Sequence, residues 1–224
     1  MTFGIDFGTT NSAVVFNNSV RLDIAGDHPF PSVVAVDEMS GRVYTGMEAI
    51  ALDGQPGYHV VRSVKRFLES GSLFNVGNDA FHPKRLVTEL FRGLRNHVAQ
   101  NLDRTRNQSM DEAVVSIPVG FKASRRQLLR EAALDAGLKI TGFVSEPTAA
   151  YLHCRRDLSE FGRVAVFDWG GGTLDVSVIR VEGKRVYELA KDSREEAGID
   201  IDKTIAEWVH ANLFANRPSA PPFD

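Results

Sequence analysis

Gly4-Ile5-Asp6-Phe7-Gly8-Thr9-Thr10-Asn11-Ser12 is the stretch from which the fold is read. An apolar strand, Phe3-Gly4-Ile5-Asp6-Phe7, runs into a turn of small polar residues, and Ala13-Val14-Val15-Phe16 leads away as a second strand. The same pattern returns near Arg163. The strand Val164-Ala165-Val166-Phe167-Asp168 is followed by one bulky residue, Trp169, then by Gly170-Gly171-Gly172 and a further strand from Leu174 to Val181. Asp6 and Asp168, like Gly8 and Gly170, stand at one constant spacing of 162 residues. A repeat of this kind suggests two homologous lobes, each offering a hairpin whose turn backbone lies bare.

The chemistry suited to such a pair is phosphate binding. Successive N–H groups of a tight turn make a concave anion site, and glycine lets that backbone approach the phosphate oxygens closely. Thr9, Thr10 and Thr173 add hydroxyl donors. Asp6 and Asp168 would repel a phosphate, so a cation must stand between; Mg²⁺ fits, because it keeps several waters and takes few protein carboxylates. One glycine-rich hairpin is usually only a turn. Two copies, each with an Asp at the strand end, shift the balance to phosphate. Other phosphate motifs fail: no Gly-x-x-x-x-Gly-Lys-Ser/Thr loop occurs. In Gly170-Gly171-Gly172-Thr173-Leu174-Asp175, an Asp stands where a dinucleotide fingerprint needs its third Gly.

Outward from the repeat, the chain mixes strands and helices and predicts an α/β fold. A strand is expected over Pro31–Val36, then a looser, Gly-rich stretch from about Met39 to Ala80. Leu86, Leu90 and Leu94, with Val87, Phe91 and Val98, form one helical stripe from about Pro83 to Leu102. Ala113–Ile117 reads as a buried strand stopped by Pro118. The helix after it turns Leu128, Leu129, Ala132, Ala133 and Ala136 inward and ends at Gly137. Ile140–Val144 is a short strand, and Pro147 suits the first turn of another helix. Arg185–Ala190 is a further strand and roughly Ile201–Phe214 the last helix, beyond which Arg217-Pro218-Ser219-Ala220-Pro221-Pro222 cannot continue it.

The 224 residues, 43% hydrophobic and 25% charged, can build a real core. A net charge of -3 gives no bulk attraction to nucleic acid or anionic membrane, so neither is expected as a partner. The basic cluster Lys122, Arg125, Arg126 and Arg130 has the spacing of a solvated helix side. A single cysteine, Cys154, excludes an internal disulfide framework. The start lacks the basic and apolar regions of a signal peptide, and no run of apolar residues is long enough for a membrane span. A cytoplasmic location is expected.

Gly4–Ser12 and Phe167-Asp168-Trp169-Gly170-Gly171-Gly172-Thr173-Leu174-Asp175-Val176 resemble the two phosphate motifs of the heat-shock 70 chaperones. Between them, Val115-Ser116-Ile117-Pro118, Arg126-Gln127 and Glu146-Pro147-Thr148-Ala149-Ala150 are similar to the segment linking that family's lobes, and Val64-Lys65-Arg66-Phe67 to its lysine segment. The matches run in order over roughly residues 3 to 210. The phosphate motifs are shared with the whole actin and sugar-kinase superfamily; the Lys65 and Glu146–Ala150 segments are more specific to the chaperones.

The resemblance implies an actin-like ATPase (ribonuclease H-like) fold, with lobe I complete over residues 1–161, a small inserted subdomain at about 39–112, and a truncated lobe II at 162–224. It implies ATP or ADP and Mg²⁺ as ligands, and co-chaperones and a peptide-binding domain as partners. Asp6 and Asp168 would hold the hydrated Mg²⁺. Gly8, Thr9, Thr10, Asn11, Gly170, Gly171, Gly172, Thr173 and Gly198 would contact the nucleotide. Lys65 would neutralise developing charge and orient the attacking water, with Glu146 and Asp175 completing that catalytic network and Thr173 near the γ-phosphate. Taken alone, Lys65 reads as a surface lysine and Glu146 as an acid at a helix N-terminus. Pro118 and Arg126 resemble positions that couple nucleotide state to peptide binding. Glu195–Asp202 is similar to a motif with paired glycines, one of them replaced by Ala197.

No second-half motif of the Gly-Gly-Ser/Thr-Arg type, which would hold adenosine, is found in the sequence. Two functions of different class follow: a chaperone-type ATPase that needs the remainder of its domain, or a nucleotide-binding fragment that does not turn over. A filament-forming or sugar-phosphorylating relative is disfavoured by the Lys65 and Glu146-Pro147 matches.

Overall fold

The computed structural model describes residues 2–214 except 18–19, 23–27, 69–70, 72, 78, 159 and 184. The proline-rich run Arg217–Pro222 lies outside the described residues.

Strand β1 (Phe3–Phe7) buries Phe3, Ile5 and Phe7, so strand alternation sends Gly4 and Asp6 to the opposite face. It pairs antiparallel with β2 (Asn11–Phe16), Phe3 against Phe16 and Asp6 against Ala13. The short strands β3 (Val20–Arg21) and β4 (Phe30–Pro31) also pair with β2. The single strand expected over Pro31–Val36 is thus two. Pro31 lacks the N–H needed to continue a ladder, and the chain leaves for a second sheet in β5 (Val34–Asp37).

That second sheet has the order β6 (Val43–Thr45), β5, β7 (Tyr58–Val61), with the short helix α1 (Met47–Ala51) between β6 and β7 in sequence. A 3₁₀ turn at Val64–Phe67 follows. Then come a ribbon of β8 (Phe74–Val76) and β9 (Asp79–Phe81), and the long helix α2 (Pro83–Ala99). The stripe Leu86, Val87, Leu90, Phe91, Leu94 and Val98 is buried throughout. Each such side chain contributes about 1.5–3 kcal/mol of hydrophobic free energy. Residues 39–112 therefore hold local strands of their own, yet Val61, Val64, Phe81 and the α2 stripe enter the same core as Ile5 and Val115.

Strand β10 (Glu112–Ile117) runs parallel to β1, with Asp6 beside Ser116. Helix α3 (Ala123–Asp135) packs on α2 and crosses over to β11 (Lys139–Ser145), parallel to β10. The main sheet is ordered β11-β10-β1-β2-β3. On α3 the expected inward residues Leu129, Ala132 and Ala133 are buried, as is Ala136 just beyond, while Leu128 is half-buried. Helix α4 (Glu146–Cys154) starts at a Ser145 cap whose hydroxyl accepts the Thr148 N–H at 3.4 Å, with Pro147 in the first turn.

The chain ends in an antiparallel sheet of β12 (Arg163–Trp169), β13 (Leu174–Glu182) and β14 (Arg185–Arg194), then helix α5 (Gly198–Phe214). Register places Asp168 opposite Asp175 and Phe167 opposite Val176. One face of this sheet is closed, burying Asp175, Ser177 and Ile179. The other presents Phe167 and Trp169 to solvent, as α5 does Ile201, Ile205, Trp208 and Leu213. No described helix is long and apolar enough to cross a membrane.

Candidate phosphate-binding site

The two repeated hairpins meet turn to turn. At Gly172 a methyl group would overlap the Thr9 side chain, and at Gly171 it would overlap the Thr10 hydroxyl. Only the missing side chains allow that approach. At the N-terminal turn, Gly8 leaves no room for a Cβ against the Asn11 carbonyl oxygen. In the second turn the Gly170 N–H donates to the Thr173 carbonyl oxygen at 2.9 Å. Its own carbonyl accepts from Gly198 N–H at 3.2 Å, and that of Gly171 from Ile199 N–H at 2.9 Å. The Gly198 and Ile199 amides thus brace the second turn from the segment that follows β14.

Asp6, next to last in β1, lies on the face away from the core, and its Oδ1 accepts the Ser116 hydroxyl at 2.8 Å. Sequence reasoning did not single out Ser116 for this contact; its alternation with buried Val115 and Ile117 on β10 is the signal that could have. Asp168 is half-buried. Burial, then the charges of Asp6 and Asp175, raise its pKa, while Lys65 opposes them. Asp175 is wholly buried, and neither carboxylate oxygen has a hydrogen-bond partner among the described residues. A buried carboxylate without a partner is costly, so this cluster of three acids is short of positive charge.

Lys65 meets part of that need. The left-handed backbone at Ser63 (φ 57°) turns the chain from β7 into the 3₁₀ turn, which buries Lys65 to 6% exposure. Its Nζ donates to the Phe7 carbonyl oxygen at 2.5 Å and to Glu146 Oε1 at 3.3 Å. The rings of Phe7 and Phe121 lie 5.9 and 5.5 Å from it. Desolvation, only partly offset by Lys65 and reinforced by Asp6 and Asp168, pushes Glu146 up to about 7. The lysine that reads as a surface residue by itself is therefore a buried one.

An open cleft of about 530 Å³ lies beside these groups, lined among others by Thr9, Lys65, Phe121, Gly172 and Thr173. A second, of about 760 Å³, opens between β14 and the β10–α4 region and includes Pro118, Arg126 and Glu188. Glu188 bridges across it, accepting hydroxyls from Ser145 and from Thr148, the latter at 2.6 Å. The basic cluster on α3 is not a free cationic face. Arg126 donates to the Phe121 carbonyl at 2.9 Å, Arg130 to that of Ile140 at 2.6 Å, and Arg125 pairs with Glu195.

Residues 68–217 match the family model described as Hsp70 protein. This chain belongs to the Hsp70 family. Curated members similar to it include a Chaperone protein HscA homolog of Shewanella loihica, 31% identical over 98% of this chain and 40% of the relative. A protein of the same name from Methylobacillus flagellatus is 32% identical over 98% of this chain and 38% of the relative. Chaperone protein DnaK of Mycoplasmopsis synoviae is 29% identical over 93% and 35%. The chain spans about 40% of the length of these Hsp70 relatives.

Proposed function

We propose that this chain is the phosphate-gripping part of a chaperone-type ATPase domain, with the actin-like fold, that takes ATP or ADP with Mg²⁺. Residues 1–161 would form its first lobe and 162–224 the beginning of its second. The observation carrying this reading is the meeting of two Asp-x-Gly turns above a buried Lys65–Glu146 pair. The residues suit a hydrated divalent ion. Asp6 lies close enough for its charge to help raise the pKa of Asp168, and Asp175 adds a buried, unpartnered carboxylate. Among the described residues no group of three His, Cys, Asp or Glu could hold a metal ion directly; the cation proposed is a hydrated Mg²⁺, which takes few protein carboxylates. When bound, it would neutralise phosphate charge.

In this reading the chain's own groups do the rest. The Thr9 and Thr10 hydroxyls and the Gly171–Gly172 backbone cradle the terminal phosphates. Lys65, fixed by the Phe7 carbonyl and Glu146, presents a desolvated cation to the transferring phosphoryl group, where positioning and charge stabilisation supply most of the rate. Glu146, near 7, can hold or release a proton next to that cation. The tight Thr9–Gly172 contact supports a second reading, a binder without turnover, because the turns must part to admit a phosphate.

Turnover of ATP by this chain, alone and with the C-terminal portion of a relative's nucleotide domain supplied in trans, separates the two. Hydrolysis that rises on complementation supports the ATPase; binding with no hydrolysis in either condition supports the binder.

A further inference from the structure

Two ion pairs tie the final strand and helix to the N-terminal body at the rim of the 530 Å³ cleft. Arg125 Nη1, at the start of α3, lies 2.9 Å from Glu195 Oε1, just past β14. Arg66, next to Lys65 but turned outward, places both Nη atoms 3.3 Å from Asp200 Oδ1 in the first turn of α5. Arg66 Nη2 also donates to the Glu195 backbone oxygen at 2.9 Å. The partners therefore clamp both ends of the short segment Glu195–Asp200. Inside it, Ala197 is buried, its N–H donates to Asp200 Oδ2 at 2.9 Å, and the Gly198 and Ile199 amides hold the carbonyls of Gly170 and Gly171. Of these two glycines Gly171 packs close against Thr10, and Gly172, one residue on, against Thr9.

A continuous path thus runs from the two guanidinium groups, through Glu195–Asp200, to the gap between the phosphate turns. We propose that Arg66 and Arg125 are positioning residues whose pairs with Asp200 and Glu195 set that gap, and with it the rate at which a phosphate-bearing ligand enters and leaves. The ligand's role rests on the function proposed above; the mechanical coupling does not. Both guanidinium groups line the cleft, so an incoming polyphosphate competes with Glu195 and Asp200 for them. Bringing negative charge to the cleft would loosen the pairs that hold the turns together. Because Arg66 adjoins Lys65 in sequence, the clamp also bears on the 3₁₀ turn that aims the buried ammonium.

The first test needs no nucleotide. Hydrogen exchange at the Gly198 and Ile199 amides is compared between the 224-residue chain and Arg66→Gln/Arg125→Gln, with the β1 amides as the internal measure of folding. Part-exposed ion pairs contribute modestly, so about threefold to tenfold faster exchange at these two amides, with β1 unchanged, is expected. Unchanged exchange at both overturns the proposal. The charge swap Arg125→Glu/Glu195→Arg should restore slow exchange relative to Arg125→Glu alone; failure to do so shows that the pair is not the linkage. Release of Mg²⁺-ADP followed by stopped flow should accelerate in the same double variant by a similar factor, and unchanged release denies the clamp its kinetic role. If the unaltered chain binds no Mg²⁺-ADP, the proposed function falls while the exchange data still decide the coupling.

Discussion

The Nζ of Lys65 sits 3.3 Å from Oε1 of Glu146, in a pair whose side chains are only 6% and 14% exposed. The two residues come from a 3₁₀ turn and a helix N-terminus, 81 positions apart. Removing one partner of a buried pair leaves the other charge uncompensated. Here Glu146 can escape that cost by taking up a proton, since its pKa already lies near 7.

For Lys65→Ala we expect turnover in the complemented domain to fall by orders of magnitude while nucleotide affinity changes little. A cation that acts on the transition state speeds reaction without tightening ground-state binding. Affinity and single-turnover rate on one protein check this. Equal losses in both would assign Lys65 to holding phosphate instead.

Glu146 supplies a pH prediction. Its carboxyl rises from 4.5 to about 7 on folding, so between those values the folded chain holds more protons than the unfolded one. The associated stability is present below about 4.5 and is lost as pH rises through about 7. Denaturant titrations across this window, without Mg²⁺, should show stability falling with pH, and Glu146→Gln should remove that component. Asp168→Asn deletes a charge that raises Glu146 and should lower its midpoint in an NMR titration. An unmoved midpoint would show that the two carboxylates do not sense each other.

Asp6→Asn and Asp168→Asn should each weaken the Mg²⁺ dependence of nucleotide binding. Their effects should not add, because one ion is shared. Additive losses indifferent to Mg²⁺, measured by calorimetry at several metal concentrations, would leave the aspartates with only a local role, such as the Asp6–Ser116 hydrogen bond.

Gly172→Ala should destabilise the junction of the turns, because the new methyl overlaps Thr9. Thr9→Gly in the same chain should recover part of the loss, with a coupling of about 0.5–3 kcal/mol in a double-mutant cycle of unfolding free energies. A coupling of zero would mean that the turns do not meet in solution.

Much of this architecture is legible in residue spacing. The α2 stripe and the β1 alternation are periodic, and burial follows period directly. The two hairpins are legible because the Asp-x-Gly pattern repeats. Lys65 is different: nothing in its local spacing reveals that Ser63 turns the chain and buries it, and only the resemblance of Val64–Phe67 to a known segment singles it out. The strand expected over Pro31–Val36 splits because Pro31 ends one ladder and the chain changes sheets, a tertiary choice that hydrophobicity does not record. The basic residues near α3 read as a solvated side by spacing, and Lys122, Arg126 and Arg130 are exposed, but spacing does not give the carbonyls of Phe121 and Ile140 or the Glu195 carboxylate that Arg126, Arg130 and Arg125 engage. Long-range partners of charged residues are set by the fold, so a helix-period argument cannot find them.

The central claim is that the site grips phosphate through Mg²⁺ and not the base. Calorimetry of ADP and of adenosine, each with and without Mg²⁺, tests it most directly. The account predicts Mg²⁺-dependent binding of ADP and none of adenosine. Adenosine binding as tightly as ADP, with or without the metal, would contradict it.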